Sequence, residues 1–235
     1  MRTIALLLCT LLLATPAGAQ PRQVDRNYTV TGYDRIRIDG GLSVSLVTNT
    51  SPFARASGTA AALDGLDIRV EGRTLIIRQD SSNWSGFAEE REVPVTIEVG
   101  THEIEQAWVV GAGSLSIDRV RGLEFGAAVQ GSGQLHISEL DVDQIDITLN
   151  GAASARLGGE VEDATFLVRG VSALQAADLE VTDLTLGVDG AGVVVIGETR
   201  EARIEAIGPG DITIGGRPAC TARLNGSVTV RGCSR

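Results

Sequence analysis

The sequence contains no lysine, and all 20 of its basic side chains are arginine. Schiff-base chemistry and a lysine general base are therefore excluded. Acidic residues outnumber basic ones by 30 to 20, and the formal net charge of −10 argues against nucleic-acid binding, which needs a basic surface. Aromatic residues make up only 3% of the chain, whereas glycine occurs 29 times. Small apolar side chains and frequent glycines favour a thin, tightly wound β structure.

The sequence also has no long apolar run. Its one short apolar run is at the N-terminus. Residues 4–14 are apolar, they follow Arg2, and the small residues Ala17 and Ala19 come next. This pattern predicts a secretory signal peptide over residues 1–19, because eleven residues are too few to span a bilayer. Cys9 lies inside that run and would leave with it. We therefore expect an exported chain that does not span a membrane, with a short N-terminal segment over residues 20–29.

The most informative feature is an internal repeat of 18 to 20 residues. It is centred on seven glycines: Gly111, Gly131, Gly151, Gly170, Gly190, Gly208 and Gly226. An aliphatic residue stands two positions before each glycine: Val109, Val129, Leu149, Val168, Val188, Ala206 and Leu224. Each unit therefore consists of two alternating strands joined by a glycine turn, with one face of each strand directed inward.

Columns of like residues predict that the chain coils as a parallel β-solenoid, each rung burying its aliphatics against the next. The predicted fold is an all-β, right-handed parallel β-helix over residues 30–235, with rungs of about 20 residues and a loop excursion at 80–92. Two strands are expected to turn at Glu71 and Gly72. A sandwich of antiparallel hairpins is the competing interpretation, although hairpins would not require a constant repeat length.

Three acidic clusters recur opposite the glycine turn. They are Asp141, Asp143 and Asp146, then Glu160, Glu162 and Asp163, and then Asp178, Glu180 and Asp183. We interpret them as a solvated acidic corner. Weak calcium binding and paired catalytic acids remain alternatives, since carboxylates serve both purposes.

No motif indicates an active site. His136 falls on the outer face of its strand, His102 falls in a turn, and no Gly-x-Ser-x-Gly elbow occurs. We therefore predict no catalytic residue, no cofactor and no metal site. Cys220 and Cys233 are predicted to form a disulfide, as expected of a cysteine pair in an exported chain. Two free thiols or a metal pair are the alternatives.

The loop at 80–92 is the predicted binding region, because it holds side chains that the repeats lack. Trp84, Phe87 and Arg91 are the candidate contacts, since aromatic and arginine side chains concentrate binding energy. The alternative is that Trp84 and Phe87 fold back and cap one end of the solenoid.

Several segments, taken in order, carry a family resemblance. They are YDRIRIDGGLSVSL from Tyr33, GRTLII from Gly72, VTIEV from Val95 and VGAGSL from Val110. Over residues 30–215 the chain resembles the autotransporter-adhesin head domain, or GIN domain, a family once of unknown function. The resemblance implies a β-helical exported protein with an adhesive role, and it brings no catalytic residues.

Together these observations predict a non-enzymatic, adhesin-like binding module of the bacterial envelope, located in the periplasm or at the cell surface. A glycan or an envelope protein is the expected partner. One alternative is a carbohydrate-active enzyme, a polysaccharide lyase or hydrolase, because larger parallel β-helices host such activities. The other is a purely structural envelope protein.

Overall fold

The computed structural model describes residues 23–79 and 95–234, which form sixteen strands and one short helix. The first strands are β1 (Val24–Tyr28), β2 (Arg35–Asp39), β3 (Ser43–Val47), β4 (Phe53–Gly58), β5 (Leu66–Glu71), β6 (Thr74–Gln79), β7 (Thr96–Gly100) and β8 (Gln106–Gly111). The others are β9 (Ser114–Gly131), β10 (Gln134–Gly151), β11 (Ser154–Gly170), β12 (Ala173–Gly190), β13 (Val193–Ile207), β14 (Asp211–Gly215), β15 (Ala219–Asn225) and β16 (Thr229–Arg231). Helix α1 spans Ala60–Asp64. In these ranges no helix is long and apolar enough to cross a membrane.

Strands β8 to β16 coil as a parallel β-solenoid, so the predicted fold is confirmed. Each of the long strands β9 to β12 runs through a whole turn and pairs in parallel with the next one along the chain. Leu135 lies beside Leu115, and Leu149 lies beside Val129. The register therefore advances by one repeat per rung, and the solenoid has about six turns.

The core lies inside the coil, in the aliphatic columns that the repeat predicts. Val109, Val129, Leu149, Val168, Val188 and Ala206 are all at most 3% exposed. Phe125 and Phe166 are the largest of the fully buried side chains and lie in two different rungs. Complete burial of a side chain of this kind contributes about 1.5–3 kcal/mol.

The glycine corner needs glycine for two separate reasons. Gly151 has a φ of +105°, a conformation that side-chain-bearing L residues rarely adopt. A Cβ atom placed on Gly151 would also lie 2.6 Å from the carbonyl oxygen of Gly131 in the preceding rung. The corner backbones therefore stack too closely to admit a side chain.

Antiparallel strands close the N-terminal end of the stack, an arrangement that the repeat does not predict. Strand β7 pairs in parallel with β3, and β4 and then β1 add to it antiparallel. On the other arm, β6 pairs with β2 and forms a hairpin with β5. The hairpin turns at Gly72 and Arg73, one residue later than predicted, because Glu71 still pairs with Thr74. Helix α1 begins at the N-cap Thr59 and buries Leu63 at this end.

The C-terminal rung consists of β15 and β16, joined by a disulfide between Cys220 and Cys233 whose Cα atoms are 5.6 Å apart. Strand β15 stacks on β13, and β16 stacks on β14. The predicted disulfide is thus present, and it closes the last turn of the coil into a covalent ring.

Candidate functional site

The acidic clusters meet in one groove on the side of the solenoid. Each rung from β10 to β13 has a short segment opposite the glycine corner, where consecutive outward residues stack in register. Asp141 lies beside Glu160, and Glu160 lies beside Glu180. The recurrence of acids every 18 to 20 residues therefore becomes a continuous column of carboxylates.

We name this surface the acidic groove and define it by the residues that line it. They are Asp141, Val142, Asp143, Glu160, Val161, Glu162, Glu180, Val181, Thr182, Glu198, Thr199, Arg200 and Gly216. The groove has a volume of about 570 Å³. Val142, Val161 and Val181 line it while remaining nearly buried, so its surface combines an aliphatic strip with six carboxylates.

Arginines stand at both ends of the groove, but among the described residues only the N-terminal one forms an ion pair with a groove carboxylate, since Arg200 at the other end forms none. At the N-terminal end, Arg121 forms an ion pair with Asp141, with 3.2 Å between Nε and Oδ2. Arg119 pairs with Glu139 just outside the groove, and this hydrogen bond raises the pKa of Arg119. Among the described residues, Glu160, Glu180 and Glu198 form no ion pair. These glutamates occupy neighbouring rungs, whose backbones lie about 4.8 Å apart, so their carboxylates repel one another and a bound cation would relieve that repulsion.

The groove does not gather its acids into a chelating site. Within residues 23–79 and 95–234, no three His, Cys, Asp or Glu side chains stand close enough to hold a metal ion. The carboxylates come from successive rungs and are distributed along the groove, which suits several separate positive charges better than one ion.

Other candidate residues lie away from the groove or outside the described ranges. Trp84, Phe87 and Arg91 fall in the segment 80–94, outside the described residues, so the predicted binding loop stays a prediction. His136 is exposed as predicted, with its Nε2 atom 3.4 Å from Ser138 Oγ. His102 is exposed as well.

Sequence reasoning missed the C-terminal part of the groove. It identified acidic clusters in three rungs, but Glu198, Thr199 and Arg200 continue the same column into a fourth. Their signal was present, because Glu198 follows Glu180 by 18 residues, the same interval that separates Gly190 from Gly208. It was obscured because the fourth cluster has two acids, Glu198 and Glu201, and places Arg200 where earlier rungs have Asp143 and Glu162.

Solved structures of bacterial proteins share this architecture. A “putative adhesin” from Bacteroides fragilis NCTC 9343 superposes with a TM-score of 0.77 at 18% identity, over 91% of this chain and 98% of that one. A “putative adhesin” from Parabacteroides merdae ATCC 43184 gives 0.71 at 16% identity, over 89% and 95%. A “putative lipid binding protein” from Parabacteroides distasonis ATCC 8503 gives 0.68 at 19% identity, over 89% and 96%. At these identities the likeness establishes the fold alone.

Among curated proteins no sequence matches the chain. Residues 32–218 match a family described as “Putative auto-transporter adhesin, head GIN domain”. The match runs from before β2 to the start of the last rung and so covers the acidic groove and nearly all of the stack. It agrees with the resemblance read from Tyr33, Gly72, Val95 and Val110. The chain belongs to the auto-transporter adhesin head GIN domain family.

Proposed function

We propose that this protein is an exported, non-enzymatic binding module of the adhesin type, acting at the bacterial envelope through the acidic groove. The observation that carries the proposal is the column of Glu160, Glu180 and Glu198, whose charges have no partner among the described residues. Family membership supports the adhesive role, and the adhesin names of two structural neighbours agree with it.

The groove favours an extended ligand with several positive charges. From Asp141 to Glu198 it crosses four rungs, roughly 14 Å at the usual spacing between strands. Alternate side chains of an extended polypeptide on one face are about 6.6 Å apart, so two or three basic side chains can reach the carboxylates. The aliphatic strip of Val142, Val161 and Val181 can contact the methylene stems of such side chains. A basic segment of a surface protein is the proposed ligand.

The test uses a lysine–serine alternating peptide as the probe. Replacing Glu160, Glu180 and Glu198 together by glutamine is expected to weaken binding of this peptide by at least about tenfold, because the charged partners are removed. Wild-type binding should also fall steeply between 0.05 M and 0.5 M salt, as the charges are screened. Affinity is measured by biolayer interferometry on the full exported chain.

A matched control separates the groove from the net charge of the protein. Glu103, Glu124 and Glu205 are exposed and lie outside the groove, and their triple glutamine variant changes the net charge by the same amount. This control should bind within about twofold of wild type. Equal weakening in both triple variants, or no measurable binding by wild type, would contradict the proposed role of the groove.

Export is tested separately. The mature N-terminus of the protein recovered from envelope and culture fractions should be Gln20, as mass spectrometry of intact protein would show. Retention of residues 1–19 would contradict export by a cleaved signal. Incubation with acidic and neutral polysaccharides should release no new reducing or unsaturated ends, and such release would favour the enzyme alternative.

A further inference from the structure

The two ends of the solenoid are built differently. Antiparallel strands and α1 cover the N-terminal end. At the C-terminal end, β15 stacks on β13 and β16 stacks on β14. Ser234 bridges to Ala219 at the start of β15, and in the described part of the chain the outer edge of β15 beyond that bridge has no partner strand. An unpaired edge presents backbone donors and acceptors in strand geometry and can accept another strand.

The apolar core is also open at this end. Leu224 occupies the column of Val188 and Ala206, which are 3% and 0% exposed, yet it is itself 46% exposed. Ala222 likewise continues the column of Ile204 and is exposed, whereas Ile204 is buried. The last rung therefore displays inward-facing side chains that a further rung would cover.

Backbone hydrogen bonding fixes which groups face outward. The N–H of Gly208 donates to the carbonyl of Asn225 at 2.9 Å, so Asn225 directs its backbone groups toward β13. Since N–H and C=O groups alternate sides along a strand, Ala222 and Leu224 direct theirs to the open side. Backbone N–H and C=O groups that become buried need hydrogen-bond partners, and an incoming strand would supply them.

The charge of this end differs from that of the rest of the molecule. All 30 acidic residues lie at or before Asp211, whereas the later part of the chain has only arginines as charged residues, among them Arg217, Arg223 and Arg231. Arg223 stacks above Glu205, and its other side faces no rung. Arg231 approaches Asp211 at 4.0 Å, with both side chains more than half exposed. An acidic partner is complementary to this end, and a second copy of the same end is not.

The last rung is also held in strand conformation before any partner binds. The disulfide between Cys220 and Cys233 encloses β15 and β16 in a ring, which limits the conformational entropy that an incoming strand would have to remove. The family match ends at residue 218, so this ring is added to the region that the match covers.

We propose that the C-terminal edge binds an extended, acidic strand of a partner protein, which adds to β15 as a further rung. Backbone groups of Ala222 and Leu224 hydrogen-bond to the strand beyond the Ser234 bridge, its aliphatic side chains cover Leu224, and its acidic side chains pair with Arg223. This is β-strand addition, with specificity set by alternating apolar and acidic positions.

The probe is a peptide with the sequence DVDQIDITLNG, which is residues 141–151 of this chain and already has the shape of a rung. Wild-type protein should bind it saturably and should bind a scrambled peptide of the same composition at least about tenfold less well, because scrambling removes the alternation. A version with its three aspartates changed to arginine should also fail to bind.

Two variants with matched controls test the mechanism. Ala222→Pro removes an outward N–H while leaving the bonds to β13, since proline is accepted at an unpaired strand edge. It should abolish binding, whereas Ala222→Val, which keeps the N–H, should not. Arg223→Glu should lose the acidic peptide and gain the arginine version. Melting temperatures of all variants establish that the rung remains folded.

Three results would overturn the proposal. The first is no saturable binding of DVDQIDITLNG, which would mean that the arginines only protect the edge from association. The second is equal binding by folded Ala222→Pro and Ala222→Val. The third is binding to vesicles that contain phosphatidylglycerol but not to the peptide, which would make the end a contact for anionic lipid.

Discussion

Replacing Gly151 by alanine should destabilise the protein far more than the same change at an unstacked corner. A φ of +105° costs an alanine about 1–3 kcal/mol of backbone strain. The new Cβ would also lie 2.6 Å from the carbonyl oxygen of Gly131, and relief of that overlap needs a backbone shift that costs about 1–3 kcal/mol more. We therefore expect a total loss of about 4 kcal/mol in the free energy of unfolding.

Two other glycines separate these contributions. Gly40 has a φ of +113° but open space around the position of its Cβ, so Gly40→Ala should cost only the strain, about 2 kcal/mol. Gly126 has no positive φ, and its Cβ would lie 3.9 Å from the nearest atom of Gln106. Gly126→Ala should therefore change stability by less than about 1 kcal/mol.

Urea unfolding followed by far-ultraviolet circular dichroism measures all three variants. If the slope with urea is unchanged, Gly151→Ala should unfold at a midpoint roughly 1 M below that of Gly40→Ala. Equal midpoints for the two variants would refute the reasoning, because they would show that contact between stacked corners adds nothing to the requirement for glycine.

Three further predictions concern other parts of the molecule. Non-reduced protein should contain no alkylatable thiol after export, and replacing Cys220 and Cys233 by serine should cost about 3 kcal/mol through loop entropy, measured by urea unfolding. Burial raises the pKa of Tyr33, whose hydroxyl donates to the Gly100 carbonyl at 2.8 Å. The contribution of Tyr33 to stability should be complete below pH 10 and decline as the pH rises further, and Tyr33→Phe should make the decline in alkaline melting curves smaller, leaving the part due to Tyr28, whose pKa burial also raises. Changing Trp84 and Phe87 together to alanine should weaken partner binding by more than about 1 kcal/mol if the loop is a contact, whereas a lower melting temperature with unchanged affinity would identify it as a cap.

The parallel stack could be predicted from sequence because every rung repeats the same physical requirement. Glycine recurs where the corner needs a positive φ and close backbone contact, and aliphatics recur at the inward positions beside it. A column such as Val129, Leu149 and Val168 therefore records the register directly. The disulfide was predictable because a chain predicted to be exported has two cysteines, Cys220 and Cys233, outside the predicted signal peptide.

The N-terminal closure could not be predicted in the same way, because each of its parts occurs once. The pattern of β4, FARASG, alternates as a strand of either direction would, and nothing local indicates that it runs antiparallel to β7. Helix α1 has only five residues, too few to show a helical period, and it depends on the Thr59 cap and the burial of Leu63.

The acidic groove could be predicted only in part. Recurrence of Asp141, Glu160 and Glu180 predicted that the acids share one corner, and the structure confirms it. The depth of the groove could not be predicted, because it depends on the path of the backbone around Val142 and Val161 in consecutive rungs. Alternation places valines inward but does not indicate that they also line a concave surface.

The ring closed by Cys220 and Cys233 also determines how the molecule would respond to tension. Pulled between its two ends, a stack in which each rung contacts only its neighbours gives way one rung at a time. Each rung of about 20 residues then releases roughly 70 Å of chain, and the work is dissipated in a series of similar steps. The last rung is different, because the disulfide carries the load across it and its residues add almost no length. A surface protein joined to other structures at both ends would thus extend in steps of one rung, except at the disulfide-bonded last rung, which would not extend.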